Sequence, residues 1–158
     1  IIETVVELNE QRKQKMTERI ISAVGGDATG KTIAVLGLTF KPNTDDMRES
    51  PSLDIVPALI AAGAKVRAFD PEGMKEAKHM LEGVEWCEEE YETMPDADAL
   101  VIITEWNQFR ALDLERVKSL MMSPVMVDLR NVYEPTEMSN AGFHYYSIGR
   151  KSVGPTAQ

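Results

Sequence analysis

The segment GGDATGKTIAVLGL, Gly25 to Leu38, decides the fold of this chain. Its first half fits the pattern G-x-x-x-x-G-K-[ST], the phosphate-binding loop of many nucleotide hydrolases, with Gly30, Lys31 and Thr32 at the last three defined positions. Such a loop needs a strand before it and a helix after it, because backbone N–H groups and the helix end must face the phosphate. The elements on either side of the segment therefore decide whether the pattern binds a nucleotide.

The order of elements around this segment is the reverse of a phosphate loop. Ile20, Ile21 and Val24 continue a helical apolar face, and the glycine pair that follows can end a helix. The β-branched run at 32–38 predicts a buried strand. Ligands of open α/β sheets bind at the carboxyl ends of strands, whereas this loop leads into an amino end. We therefore interpret GGDATGKT as a helix stop and turn, and an ATP site there is disfavoured.

Strands and helices alternate along the rest of the chain. Strands are predicted at 32–38, 65–69, 84–86, 99–103, 125–128 and 143–148, with 84–86 as a short edge strand. Helices are predicted from the start to about 24, from Ser50-Pro51 to 63, from Asp70-Pro71 to about 81, and over 114–120. This alternation predicts an α/β, Rossmann-like three-layer domain with a mostly parallel sheet, preceded by part of a long interdomain helix. We expect three parts: helix 1–24, domain 25–150 and polar tail 151–158.

Composition excludes several classes of function. The 158 residues carry a net charge of −9, which disfavours a broad nucleic-acid surface but leaves room for a local anion site. No apolar run approaches the ~20 residues of a membrane helix. The single Cys87 excludes an internal disulfide and fits a reducing cytoplasm, and its acidic neighbours disfavour a nucleophilic thiolate. With only His79 and His144 besides, no metal site is expected and neither histidine receives a role.

The loop after the first predicted strand is the strongest candidate site. GLTFKPNTDDMRES carries Lys41 and Arg48 and ends at the predicted helix start, Pro51. A lysine, a guanidinium and a helix N-terminus are three groups that bind anions. Acidic residues lie among them, so an anion site and a solvated loop of mixed charge fit the sequence about equally.

Other strand ends meet the same edge of the predicted sheet. Arg130 in DLRN lies near Lys41 by this reasoning and strengthens the anion site. Asp70 can reach a ribose hydroxyl, although capping the helix at Pro71 is the favoured interpretation. In TEWNQF, Trp106 and Phe109 fit the core or an interface as well as they fit a ligand contact.

Five segments together resemble the C-terminal, UDP-binding domain of the UDP-glucose 6-dehydrogenase family. They are GLTFKPNTDDMRESPS, AAGAKVRAFDP, LVIITEWNQF, VDLRNVYEP and GFHYYSIGR, and the similarity extends to Arg150. The block FKPNTDDMRES is specific to nucleotide-sugar dehydrogenases. The opening VVELNEQRKQK resembles the end of the family's central helix, which forms the dimer core.

The resemblance implies a reaction and residue roles. The family oxidises UDP-glucose to UDP-glucuronate with two NAD molecules, supplies surface-polysaccharide precursors and acts as a cytoplasmic homodimer. Phe40, Lys41 and Arg130 would contact the UDP-sugar, and Arg48 would reach NAD. The family often has glycine where this chain has Leu129, a departure in the backbone next to Arg130.

The resemblance also implies what this chain lacks. The family's catalytic cysteine, its lysine and its dinucleotide-binding glycine loop belong upstream of Ile1, and the helical pattern already in progress at Ile1 suggests a piece of a longer protein. We therefore expect no catalytic residue in this chain and no dehydrogenase activity from it alone. Two alternatives remain: a sister enzyme acting on UDP-N-acetylmannosamine, and a non-catalytic module that binds nucleotide sugars.

Overall fold

Helices and strands alternate along residues 2–155, the part of the chain that the computed structural model describes; the side chains of residues 2, 3, 5 and 6 are left aside. The strands are β1 (Thr32–Leu36), β2 (Lys65–Phe69), β3 (Val84–Trp86), β4 (Ala99–Ile102), β5 (Val125–Asp128) and β6 (His144–Ser147). The helices are α1 (Ile2–Ala23), α2 (Ser52–Ala61), α3 (Met74–Met80), α4 (Leu114–Leu120) and α5 (Pro135–Asn140). Short 3₁₀ helices occupy Glu90–Thr93 and Asn107–Ala111.

The six strands form one sheet in the order β3-β2-β1-β4-β5-β6. Every neighbouring pair is parallel; Ile33 of β1, for example, lies between Val66 of β2 and Ala99 of β4. The order reverses between β1 and β4, so the connections from β1 to β2 and from β4 to β5 run in opposite directions along the sheet, and open α/β sheets bind ligands at the carboxyl edge of such a point. The predicted Rossmann-like sheet is confirmed, and β3 is the edge strand that the sequence indicated.

Both faces of the sheet are buried, which confirms the three-layer prediction. Along β1, Ile33 and Val35 belong to one apolar core and Ala34 and Leu36 to the other, because successive strand residues point to opposite faces. The first core includes α2 residues such as Ile55 together with the end of α1. The second core is built by the 107–111 turn and by α4 and α5, as these members show: Phe109, Val117 and Met138.

Helix α1 packs on the sheet through its C-terminal half. Ile20 is fully buried, while Leu8 near the other end is 59% exposed. The helix ends as predicted, because Gly25 and Gly26 adopt φ values of 99° and 91°. In the described residues no helix is both long and apolar enough to cross a membrane.

Strand β1 is two residues shorter than predicted because of Gly37. This residue has a φ of 89°, which takes the chain out of the extended conformation. A Cβ atom at Gly37 would lie 2.5 Å from the Cβ of Thr104, so the loops after β1 and β4 approach each other as closely as backbone allows. Glycine is therefore required at this position on both grounds.

The predicted start of α3 was wrong, whereas that of α2 agrees with the structure. Asp70-Pro71 does not begin α3: the Asp70 Oδ1 atom accepts hydrogen bonds from the N–H groups of Glu72 and Gly73, which hold a separate turn before the helix begins at Met74. The predicted start of α2 at Ser50-Pro51 agrees with the structure to within a residue, because the Ser50 hydroxyl accepts from the Ser52 N–H at 3.3 Å and the Pro51 carbonyl accepts from the Ile55 N–H at 2.9 Å. The same hydroxyl donates to the carbonyl of Leu38 at 2.6 Å, which ties the start of α2 to the loop after β1.

The sequence analysis missed two elements near the end of the chain, a short helix before β6 and a backbone pairing after it. Helix α5 has only six residues and begins at Pro135, in the favoured first position for proline. Beyond β6, Val153 pairs antiparallel with Tyr145, with N···O distances of 2.9 and 3.1 Å. The first residues of the expected polar tail therefore contact β6, while its last three lie outside the described residues.

Candidate functional site

A cavity of about 440 Å³ opens at the carboxyl edge of the sheet, a size typical of small-ligand pockets. Phe40, Lys41 and Arg130, the three predicted sugar-nucleotide contacts, all line it. The structure thus brings together residues that lie ninety positions apart in the sequence. The remaining lining residues come from α1 and from the start of α2: Asn9, Arg12, Lys13, Met16, Glu49 and Pro51.

The loop that carries Phe40 and Lys41 is held in place by the buried carboxylate of Asp70. Its Oδ2 atom accepts hydrogen bonds from the N–H groups of Leu38 (2.7 Å) and Thr39 (3.1 Å) and from the Thr39 hydroxyl (3.1 Å). The indole N–H of Trp106 also donates to this oxygen at 3.1 Å. Hydrogen bonds to Asp70 thus fix the backbone at Leu38 and Thr39, and this fixed backbone places the Lys41 side chain.

Asp70 is therefore not available to a ribose. Its side chain is fully buried, and its other oxygen is occupied by the turn before α3. The capping interpretation is closer to the structure, although the cap closes a turn and not the helix itself. Trp106 and Phe109 are 7% and 0% exposed, so both belong to the core.

Arg130 is presented by a second buried carboxylate, Asp128 at the end of β5. Its Oδ1 atom accepts from the Arg130 N–H at 3.1 Å, and its Oδ2 atom accepts from the Tyr133 N–H at 2.9 Å and the Tyr145 hydroxyl at 2.6 Å. Burial, followed by the adjoining Asp128 charge, raises the pKa of Tyr145 well above its usual range. The Arg130 guanidinium itself pairs with Glu105 from the loop after β4.

Leu129 fits this turn without strain. Of the described non-glycine residues with positive φ, Asn131 is the one in this turn, at 53°, and Leu129 keeps an ordinary backbone conformation. Its side chain is 5% exposed and packs in the first apolar core. The departure from the family's usual glycine therefore does not displace Arg130 from the cavity.

Arg48 lies apart from the other predicted contacts. It lines a separate depression and not the cavity of Lys41, and its side chain is 86% exposed. Asp46 holds it through two hydrogen bonds of 3.0 and 3.2 Å, which raise the pKa of Arg48 and lower the pKa of Asp46. The assignment of Arg48 to NAD stays a prediction.

The structure also disfavours a phosphate site at GGDATGKT and a nucleophilic role for Cys87. GGDATGKT joins α1 to the amino end of β1, and its Gly30 N–H donates to the carbonyl of Gly63 instead of facing a ligand. Cys87 is buried, and desolvation first, then Glu85, raises the pKa of its thiol, which opposes a nucleophilic role. Across the described residues no group of three metal-ligating side chains is present.

The contribution of α1 to the cavity was missed by the sequence analysis. The opening VVELNEQRKQK was assigned only to the central helix of the dimer core, yet Arg12 and the following Met16 line the cavity of the Lys41 loop one helical turn apart. Arg12 also borders an adjoining cavity of about 510 Å³ with Lys15, Arg19 and Arg130. A signal existed in the i, i+4, i+7 spacing of Arg12, Met16 and Arg19, but only the packing of α1 shows which face meets the sheet edge.

The fold and the cavity define a Rossmann-like domain with a cation-lined cavity at the carboxyl edge of its sheet. The model of the UDP-glucose/GDP-mannose dehydrogenase family, UDP binding domain, matches residues 34–135, more than half of the chain. The chain belongs to this family, which confirms the resemblance drawn from its motifs.

Two curated relatives of this chain are both named UDP-glucose 6-dehydrogenase. The chain is 55% identical over 150 residues to a UDP-glucose 6-dehydrogenase of Rhizobium meliloti, covering 95% of this chain and 34% of that protein. It is 43% identical over 157 residues to UDP-glucose 6-dehydrogenase TuaD of Bacillus subtilis, covering 99% of this chain and 34% of the relative. The chain thus spans about a third of the length of the curated relatives it matches.

Two solved structures are similar over most of the chain. A UDP-glucose dehydrogenase of Pyrobaculum islandicum matches with a TM-score of 0.76 and 29% identity, over 91% of this chain and 31% of that one. A UDP-D-ManNAc dehydrogenase of Pyrococcus horikoshii matches with a TM-score of 0.76 and 27% identity, over 91% of this chain and 32% of that one.

Proposed function

We propose that this chain is the UDP-sugar-binding part of an NAD-dependent UDP-glucose 6-dehydrogenase. The observation that carries the proposal is the cavity in which Phe40, Lys41 and Arg130 meet. Family membership and the 55% identity to a UDP-glucose 6-dehydrogenase support the choice of ligand. The substrate would be UDP-glucose and the product UDP-glucuronate.

Each of the three residues can hold a different part of a nucleotide sugar. Lys41 carries an ammonium group at the cavity wall, which attracts phosphate as a point charge. Phe40 is 45% exposed, so its ring offers an apolar surface to a base or sugar. Arg130, with its guanidinium kept in orientation by Glu105, can donate hydrogen bonds to a ligand oxygen from its remaining N–H groups.

A second ligand fits the separate position of Arg48. We infer that its exposed guanidinium reaches NAD, which supplies the hydride acceptor when bound. Binding and orientation are the tasks of this chain, and we assign no catalytic residue to it. Purified chain supplied with NAD and UDP-glucose should therefore form no NADH, and a measurable rate of NADH formation would overturn this assignment.

The remaining proposals concern the whole protein. We infer a homodimer that associates through α1, because Leu8 on this helix is left 59% exposed. We also infer a cytoplasmic location, which the single Cys87 fits. We also retain the division into helix 1–24, domain 25–150 and tail 151–158. A sister enzyme for UDP-N-acetylmannosamine is the second candidate, favoured by the equal TM-score of the Pyrococcus horikoshii structure.

Calorimetry with UDP-glucose tests the proposed site. Lys41→Ala should weaken binding about tenfold or more, because a hydrogen bond to a charged group contributes roughly 1.5–3 kcal/mol. Lys31→Ala is the matched control: it removes the same charge from the GGDATGKT turn and should leave the affinity unchanged. Tight binding of ATP–Mg that is lost in the Lys31 variant would contradict the proposal, as would equal effects of both substitutions.

A further inference from the structure

The cations that line the UDP-sugar cavity outnumber the acids that pair with them. Four cations line it: Arg12, Lys13, Lys41 and Arg130. Lys13 is neutralised by Asp54 of α2, whose oxygen lies 3.0 Å from its Nζ atom, and Arg130 is neutralised by Glu105.

Lys41 and Arg12 differ from the other two cations. In the described part of the chain, neither forms an ion pair with a carboxylate. The one acid in the cavity wall, Glu49, acts on Lys13, whose pKa is raised chiefly by its hydrogen bond to Asp54 and more weakly by Glu49. The cavity therefore holds two cations that have no ion-pair partner, Lys41 on the loop after β1 and Arg12 on α1. Asp46 interacts with Lys41 only at longer range, since the pKa of Asp46 is lowered chiefly by its hydrogen bonds to Arg48 and least by Lys41.

We propose that Arg12 is an anion-binding residue of this site and that Arg12 and Lys41 together hold the diphosphate of the nucleotide sugar. A diphosphate joined to two sugars carries two negative charges, one on each phosphate, and so matches the two free cations. The guanidinium is suited to the task because its fork of N–H donors can bind two phosphate oxygens at once.

The position of Arg12 supports this role. It borders both the UDP-sugar cavity and the adjoining cavity with Lys15 and Arg19, so its side chain lies on the ridge between them. Met16, one turn further along α1, supplies an apolar patch beside it in both cavities. Through Arg12 the interdomain helix becomes part of the ligand site instead of only a connection. This inference rests on the proposed function of the cavity.

The test is a calorimetric comparison of Arg12→Gln with Lys15→Gln. Lys15 lies on the same helix and its substitution removes the same charge, but Lys15 does not line the UDP-sugar cavity. Arg12→Gln should weaken the binding of UDP-glucose and of inorganic pyrophosphate by about tenfold. This loss is at the lower end of the range for charged hydrogen bonds, as expected at an exposed site. Lys15→Gln should change both by less than about threefold, as expected for a distant, screened charge. Arg12→Lys should recover only part of the lost affinity, because lysine keeps the charge but not the fork of N–H donors.

The outcomes separate the inference from the proposed function. The role of Arg12 would be overturned if Arg12→Gln and Lys15→Gln had equal effects on the affinity for UDP-glucose. If Lys41→Ala still weakened UDP-glucose binding, the proposed site itself would stand. Uridine, which has no phosphate, should bind wild type and Arg12→Gln alike; a parallel loss for uridine would mean that Arg12 acts through structure and would also overturn the inference. Absence of UDP-glucose and pyrophosphate binding by the unsubstituted chain would overturn both.

Discussion

Replacing Asp70 by asparagine should destabilise the fold far more than its small change in shape suggests. The carboxylate is fully buried, with four donors on Oδ2 and two on Oδ1. An asparagine side chain can keep an oxygen on only one side, because its other terminal atom is an NH₂ donor. The less costly orientation keeps the oxygen toward Leu38 and Thr39 and turns the NH₂ group toward the N–H groups of Glu72 and Gly73.

The cost follows from those two unsatisfied donors. Each buried donor without an acceptor costs about 1–3 kcal/mol, so the free energy of unfolding should fall by about 3 kcal/mol. Guanidinium denaturation followed by tryptophan fluorescence measures this, since Trp106 donates to the same carboxylate. Asp45→Asn, the same chemical change at an exposed position of the neighbouring loop, should stay within about 0.5 kcal/mol of wild type. An Asp70→Asn variant that is as stable as Asp45→Asn would refute the role of this carboxylate.

Two further predictions concern the loop crossing and the buried tyrosines. Gly37→Ala should lower the free energy of unfolding by about 3 kcal/mol, since the new Cβ meets Thr104 at 2.5 Å and the left-handed backbone disfavours a side chain; a loss below about 1 kcal/mol in thermal or chemical unfolding would contradict it. Burial raises the pKa of Tyr133 to about 12. Because its pKa is higher in the folded than in the unfolded chain, the contribution of Tyr133 to the free energy of unfolding is fully present below about pH 10. It declines as the pH rises toward 12. Tyr133→Phe should therefore flatten the fall of unfolding free energy between pH 10 and 12, and an unchanged slope would count against this explanation.

The sequence predicts most of the sheet because its signals are local. The bounds of β2, β3 and β5 agree with the structure, since each is a short apolar or β-branched run between turn residues. The parallel arrangement follows from the alternation of such runs with helices. The rejection of GGDATGKT as a phosphate loop also needed only the order of neighbouring elements.

The errors occur where a polar side chain bonds across the fold. Asp70 has the residue type of a helix cap, but one of its oxygens accepts from Leu38 and Thr39, which follow another strand, and the other accepts from a turn that precedes α3. No local pattern shows that these atoms are already occupied. The same limit explains why Arg12 was missed: its place in the cavity depends on how α1 packs against the sheet edge.

The central claim is that the sugar nucleotide binds at the carboxyl edge of the sheet, between the Lys41 loop and Arg130. Titrating ¹⁵N-labelled chain with UDP-glucose, with amide signals recorded at each step, tests it most directly. The account predicts saturable shifts at the amides of Phe40, Lys41 and Arg130, and unchanged signals from Gly25 to Thr32. Shifts centred on Gly25 to Thr32, with the carboxyl edge unaffected, would contradict it.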